Sequence, residues 1–356
     1  MNWKLLISSM ALGITFLAST ANAQLAGDSP ELLQLIKNAG DHLNKGQYDN
    51  AAALYKQAIR MAPDNIALRK DLAYTYLLKR EYNTAREIIS QVLESSAADA
   101  QVYQIASAIE LQDGKSAKAK RIINNGLDKF PHSGVLYNAK GNHMITESKS
   151  AKPALKEWLR GIAVDPAFPT NYYNAAKTLF KEGDYIWTII YAEKFVNLES
   201  QTAKAVEMRK ILFDAYKQVF QLKYADGIPD FNTNPSASKN AKLKFEDAFV
   251  HAINANISTV ADGFSLDNVS MLRTRFLIFW NNHYEERFPQ SIISYQSRLM
   301  KAGHYPAYNQ WLFGAMISSQ EFSTWLGQFK SAYQKFEQWK QTNVYIPNNG
   351  DAALAL

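Results

Sequence analysis

Cysteine is absent from all 356 residues, so the chain can build neither a disulfide framework nor a thiolate metal site. It also lacks a lipidatable cysteine after its N-terminal segment, which argues against a lipoprotein. Beyond the first two dozen residues no apolar run is long enough to cross a bilayer. Motifs that carry chemistry are missing as well. The six histidines contain no H-E-x-x-H pair, and neither a G-x-S-x-G elbow nor a phosphate-cradling loop occurs. In "HYEER", His283 and Glu286 share one helix face, but a carboxylate-bridged metal site needs such pairs on two helices, and only one is present. That segment reads as a polar helix end. Paired carboxylates for glycoside hydrolysis need not be near in sequence, yet nothing marks a pair. The expectation is a non-enzyme with no cofactor and no metal.

What is present begins with an export signal. Met1–Lys4 carry one positive charge, "LLISSMALGITFLAST" is an apolar core, and Ala21 and Ala23 occupy the two small-residue positions of a cleavage site. Cleavage is expected after Ala23, leaving no transmembrane anchor and a periplasmic or secreted chain. A helical protein without disulfides suits a bacterial envelope. Lys and Arg outnumber Asp and Glu by 39 to 33. These basic residues are scattered rather than gathered into a stripe, and an exported protein meets little nucleic acid, so no nucleic-acid partner is expected.

The first half repeats itself. In "NKGQYDNAAALYKQAIRMAP", Gly46 and Tyr48 stand at a turn, and Ala51, Tyr55, Ala58, Ile59 and Pro63 follow at helical spacing. Thirty-four residues on, the same places hold Tyr82, Ala85, Ile89, Val92 and Leu93; one period later they hold Gly114, Ala119, Ile123, Gly126, Leu127 and Pro131. A fourth copy, "ALKEWLRGIAVDP", runs one residue long and replaces the turn by "ESKSAKP". A fifth restores Gly183 and Tyr185 but puts Thr188 where alanine is usual. Period and pattern resemble the tetratricopeptide repeat over residues 32–200, a helix pair per repeat. Small residues let paired helices approach: Ala39, Ala73, Ser107, Gly141 and Ala176 on first helices, Ala51, Ala85, Ala119 and Ala154 on second. One pair cannot bury its apolar face alone, and stacked copies share a core.

The resemblance implies an all-α solenoid of about five helix pairs whose inner face, lined by first helices, holds a protein or peptide. Carried over place by place, the groove candidates are Lys70, Tyr74, Gln104, Asn138, Asn142, Tyr173 and Lys177. The carboxylate clamp known in the family is not expected, because Ile36, Gly40 and Ala108 stand at equivalent places.

Past the repeats, "AKAVEMRKILFDAYKQVFQL" reads as a capping helix and "YADGIPDFNTNPSASKN" as a loop. Three further amphipathic segments follow, and then a last helix with Phe322, Phe329 and Phe336 every seven residues and Trp325, Ala332 and Trp339 three places after each. That face reads as packing inside a helical bundle, with an oligomer seam as the alternative. Trp280, Trp311, Trp325 and Trp339 also raise the reading of a glycan platform. The organisation expected is a signal peptide over 1–23, a repeat solenoid with its cap over 24–223, a linker loop over 224–240, a C-terminal helical domain over 241–343 and a flexible tail over 344–356. The function expected is an exported scaffold or adaptor that binds an envelope protein or peptide, with glycan binding as the alternative. Intact-mass measurement of the chain recovered from an expressing bacterium is expected to show a mature N-terminus at Gln24; retention of Met1 would refute the leader.

Overall fold

The computed structural model describes residues 29–148, 150–225, 243–256, 265–351 and 353–354. The expected leader over 1–23 lies outside them, and so does the linker beyond residue 225. The described residues are helical and contain no strand. The helices group into two compact units that divide between Asp165 and Pro166.

The first unit holds four helix pairs: α1 (Pro30–Asn44) with α2 (Tyr48–Met61), α3 (Ile66–Leu78) with α4 (Tyr82–Leu93), α5 (Ala100–Gln112) with α6 (Ser116–Lys129), and α7 (Gly134–Glu147) with α8 (Lys152–Val164). Three of the first helices start at Ile66, Ala100 and Gly134, which is the 34-residue period. Their N-caps follow from local chemistry: Asn65, Asp99 and Ser133 each accept a backbone N–H of the first turn through the side chain. Pro63, Pro131 and Pro166 each fall two residues past the end of a second helix (Met61, Lys129 and Val164). Gly46 and Gly114 make their turns at φ 71° and 76°. The equivalent turn between α3 and α4 places Arg80 at φ 64°, a left-handed conformation that costs a side chain about 1–2 kcal/mol.

Each pair closes on its small residues. Ala39, Ala51, Ala73, Ala85, Ala119 and Ala154 are fully buried, and at Gly141 the Trp158 indole lies where a Cβ would stand. Within this unit α3, α5 and α7 adjoin one another, so the first helices form one face.

The second unit contains the fifth pair, α9 (Pro169–Glu182) and α10 (Tyr185–Leu198), then α11 (Ala203–Ala225), α12 (Phe245–Asn254), α13 (Leu266–His283) and α14 (Ser291–Lys301). It ends with α15 (Tyr305–Asn309), a π-helical turn (Gln310–Gly314), α16 (Ala315–Ile317) and α17 (Ser319–Thr342). The fifth pair and the capping helix group with the C-terminal helices rather than with the first four pairs. The reason is α10. Trp187, Ile189, Ile190, Tyr191, Phe195 and Val196 are buried all round it, because the C-terminal helices cover what would be its solvent side. The Trp187 ring packs on Phe245 at 4.8 Å, and its Nε1 donates to Glu246 at 2.6 Å.

At the centre of this unit Arg273 and Glu193, each 2% exposed or less, form a bidentate pair: Nη1 to Oε2 at 2.9 Å and Nη2 to Oε1 at 2.6 Å. Gln296 and Tyr308 each donate to Glu193 Oε1 at 2.8 Å, and Arg273 Nη1 also donates to the Tyr216 hydroxyl. The guanidinium stands over Tyr216, Tyr305 and Phe313.

Two expectations are corrected. In α17 only Phe336 is fully buried, and the helix kinks at Phe329 (φ −116°, ψ 26°), which is 47% exposed. The seven-residue aromatic face is therefore not one straight seam: Phe329 faces solvent, while Phe322 packs against Gly314 and Tyr333. Residues 344–351 are not a loose tail. Tyr345 is buried against Tyr295, and Asp351 Oδ2 pairs with buried Lys194 while Oδ1 accepts Ser291 N at the start of α14.

Gly141→Ala is expected to destabilise the chain by about 1–3 kcal/mol, because the Trp158 ring must move. Gly40→Ala, which meets nothing within 4 Å, is expected to stabilise it by about 0.5–1 kcal/mol. Paired urea melts separate the two, and equal effects would contradict the helix crossing described here.

Candidate partner-binding face

All seven candidates fall on first helices: Lys70 and Tyr74 on α3, Gln104 on α5, Asn138 and Asn142 on α7, and Tyr173 and Lys177 on α9. Their surroundings differ sharply. Lys70 is mostly buried, and its ammonium donates to Asp99 Oδ2 at 2.9 Å and Gln101 Oε1 at 2.7 Å. Asp99 caps α5 with its other oxygen, donated to by Val102 N. Lys70 thus fastens α3 to the start of the next first helix. Tyr74 and Gln104 are buried, and Asn138 is fully enclosed, accepting from Asn142 Nδ2 at 3.1 Å.

The structure does bring Gln104 and Asn142 together. A shallow depression of about 30 Å³, room for about one water molecule, lies between α5 and α7. Its lining is Gln104, Ser107, Ala108, Leu111 and Gln112 from α5, Ala139 and Asn142 from α7, and Ile123. Small residues set the depth, and the amides of Gln104, Gln112 and Asn142 supply donors and acceptors around apolar walls. Such a lining suits backbone amides and short apolar side chains of an extended segment.

Tyr173 and Lys177 belong to the second unit and form a different arrangement. The Tyr173 hydroxyl donates to Glu207 at 2.5 Å, and Lys177 donates to that hydroxyl at 3.0 Å and pairs with Glu207 at 2.8 Å. Burial, then Glu207, raises the phenol above its usual range. Lys204 also stands over the Tyr173 ring, and burial lowers the ammonium pKa of both Lys204 and Lys181. Sequence reading missed Lys181, Lys204 and Glu207. A signal existed for one of them: Glu207 lies 34 residues after Tyr173, at the same place in the register on α11.

One constellation has the residue types of a hydrolase without the geometry. His143 Nε2 lies 2.9 Å from Ser116 Oγ, and Glu147 is close by. The same nitrogen lies 3.0 Å from the Ser116 carbonyl, which can only accept, so Nε2 carries the proton. Ser116 Oγ donates to Glu147, and the glutamate approaches that same ring nitrogen rather than Nδ1. This is a tie between the start of α6 and α7. Among the described residues no group of three His, Asp or Glu is placed to hold a metal. Of the tryptophans read as a sugar platform, Trp280 is fully buried and Trp339 packs on Tyr295 and His304, while Trp311 and Trp325 are half-buried.

Comparison with known proteins agrees with the helix pairs. Residues 42–109 match the tetratricopeptide repeat family model. A stretch of 111 residues, 31% of this chain, is 28% identical to the Tetratricopeptide repeat and J domain-containing co-chaperone DNJ1 of Cryptococcus neoformans, covering 21% of that protein. Another of 144 residues, 40% of this chain, is 28% identical to ETO1-like protein 2 of Arabidopsis thaliana, covering 15% of it. The likeness thus spans about a fifth or less of these curated relatives. A solved tetratricopeptide repeat protein from Parabacteroides merdae aligns over 75% of this chain and 97% of its own at 13% identity, with a TM-score of 0.34, too low to support an argument. Residues 42–109 thus carry the tetratricopeptide repeat, and helix pairs of the same 34-residue period continue past them to residue 164.

One buried acid on α3, close enough to Tyr55 of α2 to act on it, titrates abnormally. Burial pushes the Asp71 carboxyl up to about 7, with Lys70 acting in the opposite sense. An acid whose folded pKa exceeds its unfolded value of about 3.9 binds more protons when folded. Its contribution therefore falls as pH rises from about 4 to about 7, and then levels off. Asp71→Asn is expected to abolish that decline and to exceed the native chain in stability at about pH 8; urea melts across this range that stay parallel to the native chain would refute it.

Proposed function

We propose that this chain is an exported scaffold that holds an extended segment of a protein partner in the cleft between α5 and α7. The observation that carries the reading is the lining of that cleft, where amides from two adjacent first helices surround Ala108, Leu111 and Ala139. An extended peptide offers alternating donors and acceptors along its backbone, which the amides match, while the small walls let that backbone lie close against the helix face. The tetratricopeptide repeats support a binding role over a chemical one. The charged, then apolar, then Ala-x-Ala pattern of residues 1–23 supports a periplasmic or secreted setting, and the partner is then an envelope or extracellular protein.

Most affinity is assigned to Asn142 and the cleft walls. Lys70, Tyr74 and Asn138 support the face from beneath through their burial and bonds. Tyr173, Lys177 and Glu207 form a separate polar patch on the second unit.

A photocrosslinker placed at Asn142 is expected to capture one defined protein from envelope extract, whereas the same group at exposed Lys120 on α6 is expected to capture none. Ala108→Arg, which fills the cleft, is expected to weaken that binding at least tenfold, a loss of about 1.4 kcal/mol or more, with unchanged melting. Equal capture from both positions, or full affinity in Ala108→Arg, would move the binding site off this cleft.

A further inference from the structure

Three elements of the second unit converge on one indole. The guanidinium carbon of Arg209, from α11, stands 4.9 Å from the centre of the Trp311 ring, and Lys340 Nζ, from α17, stands 3.6 Å from it. Trp311 sits inside the π-helical turn, where the widened backbone displaces side chains from the α-helical register, and its ring stacks on buried Tyr308. Two positive charges are thus gathered at a half-buried place.

Among the described residues no carboxylate forms an ion pair with Arg209 or Lys340. Glu337, exposed and one turn before Lys340 on α17, attracts it from beyond pairing distance. Arg209 donates one hydrogen bond, from Nη2 to Ser200 O at 3.0 Å, while its Nε is buried without an acceptor. Lys340 has no acceptor among the described residues. An aromatic face attracts a cation but leaves its hydrogen-bonding protons unused, and an ammonium taken from water requires compensation. Beside Trp311 the polar surplus continues: Asn309 is 1% exposed with both amide atoms unpartnered, and Gln310 Oε1 is buried without a donor. A fold that needed only packing at this turn would have no use for two unpaired cations and an unsatisfied amide together.

We propose that Arg209, Trp311 and Lys340 form a binding site for an oxyanion, a carboxylate or phosphate group carried by a small ligand. The anion takes hydrogen bonds from the guanidinium and ammonium groups, and the indole edge offers contact to whatever apolar body carries it. This site is independent of the cleft between α5 and α7 and of the peptide reading.

The test titrates the full mature chain with inorganic phosphate and, separately, with acetate, at constant ionic strength set with chloride. Tryptophan fluorescence and melting temperature are the readouts. A saturable change with either probe is expected, weakened roughly tenfold in Lys340→Gln and in Arg209→Gln and retained in Lys340→Arg. Response to phosphate alone assigns a phosphate ligand, and response to acetate alone assigns a carboxylate. Burial and the neighbouring Arg209 push the Lys340 ammonium down to about 8, so affinity is expected to fall between about pH 7 and about pH 9.5 as Lys340 loses its charge. The resonance of Lys340 Cε, followed in the native chain, is expected to titrate at higher pH once the anion is bound. A response that merely tracks ionic strength, unchanged affinity in Lys340→Gln, or a Lys340 titration indifferent to both anions would overturn the site.

Discussion

Two helices can lie close together only where one of them offers almost no side chain, and the repeats of this chain rest on that constraint. Ala39 and Ala51, Ala73 and Ala85, and Gly141 against Trp158 set the separation within their pairs. Once that separation is fixed, the wider residues around it have only one place to go. Tyr55, Ile89, Val92, Leu136 and Leu155 fill the space between pairs. The face made by α3, α5 and α7 inherits its spacing from the same crossings, and so does the cleft that Gln104 and Asn142 share. The face between these helices is a by-product of how little room the alanines take up.

The second unit uses a different principle. Its centre is charged: the Arg273–Glu193 pair, closed in by Gln296, Tyr308, Tyr216 and aromatic rings. Removing either partner from such a pair leaves the other charge buried alone, typically at a cost of about 3–5 kcal/mol. The pair ties together side chains from α10, α11, α13, α14 and α15.

The helix pairs were readable from residue size alone, since a 34-residue period in alanine, glycine and proline is a local property of the chain. Even the irregular fourth turn and the long fourth repeat announce themselves in "ESKSAKP". The exposure of the groove positions was not readable. Whether Lys70 faces a partner or a neighbouring helix depends on Asp99 and Gln101, which belong to the next repeat. Asn138 sits at a groove place by register, yet it is enclosed. Glu193 and Arg273 lie 80 residues apart with no shared pattern. The unit boundary did leave a trace that went unread: "YIWTIIYAEKFVNL" has no polar face, and a terminal repeat helix meant for solvent would have one. The aromatic heptad of α17 misled for the opposite reason, because regular spacing says nothing about whether a straight helix persists past Phe329.

Asp351 ties together places far apart in the sequence. Lys194 is buried, and its carboxylate partner is supplied 157 residues later. The same carboxylate closes the start of α14 through Ser291. Until residue 351 is in place, the second unit holds a buried ammonium without its carboxylate and an open helix end, so a chain cut short before Asp351 is weakened at helices far upstream of the cut.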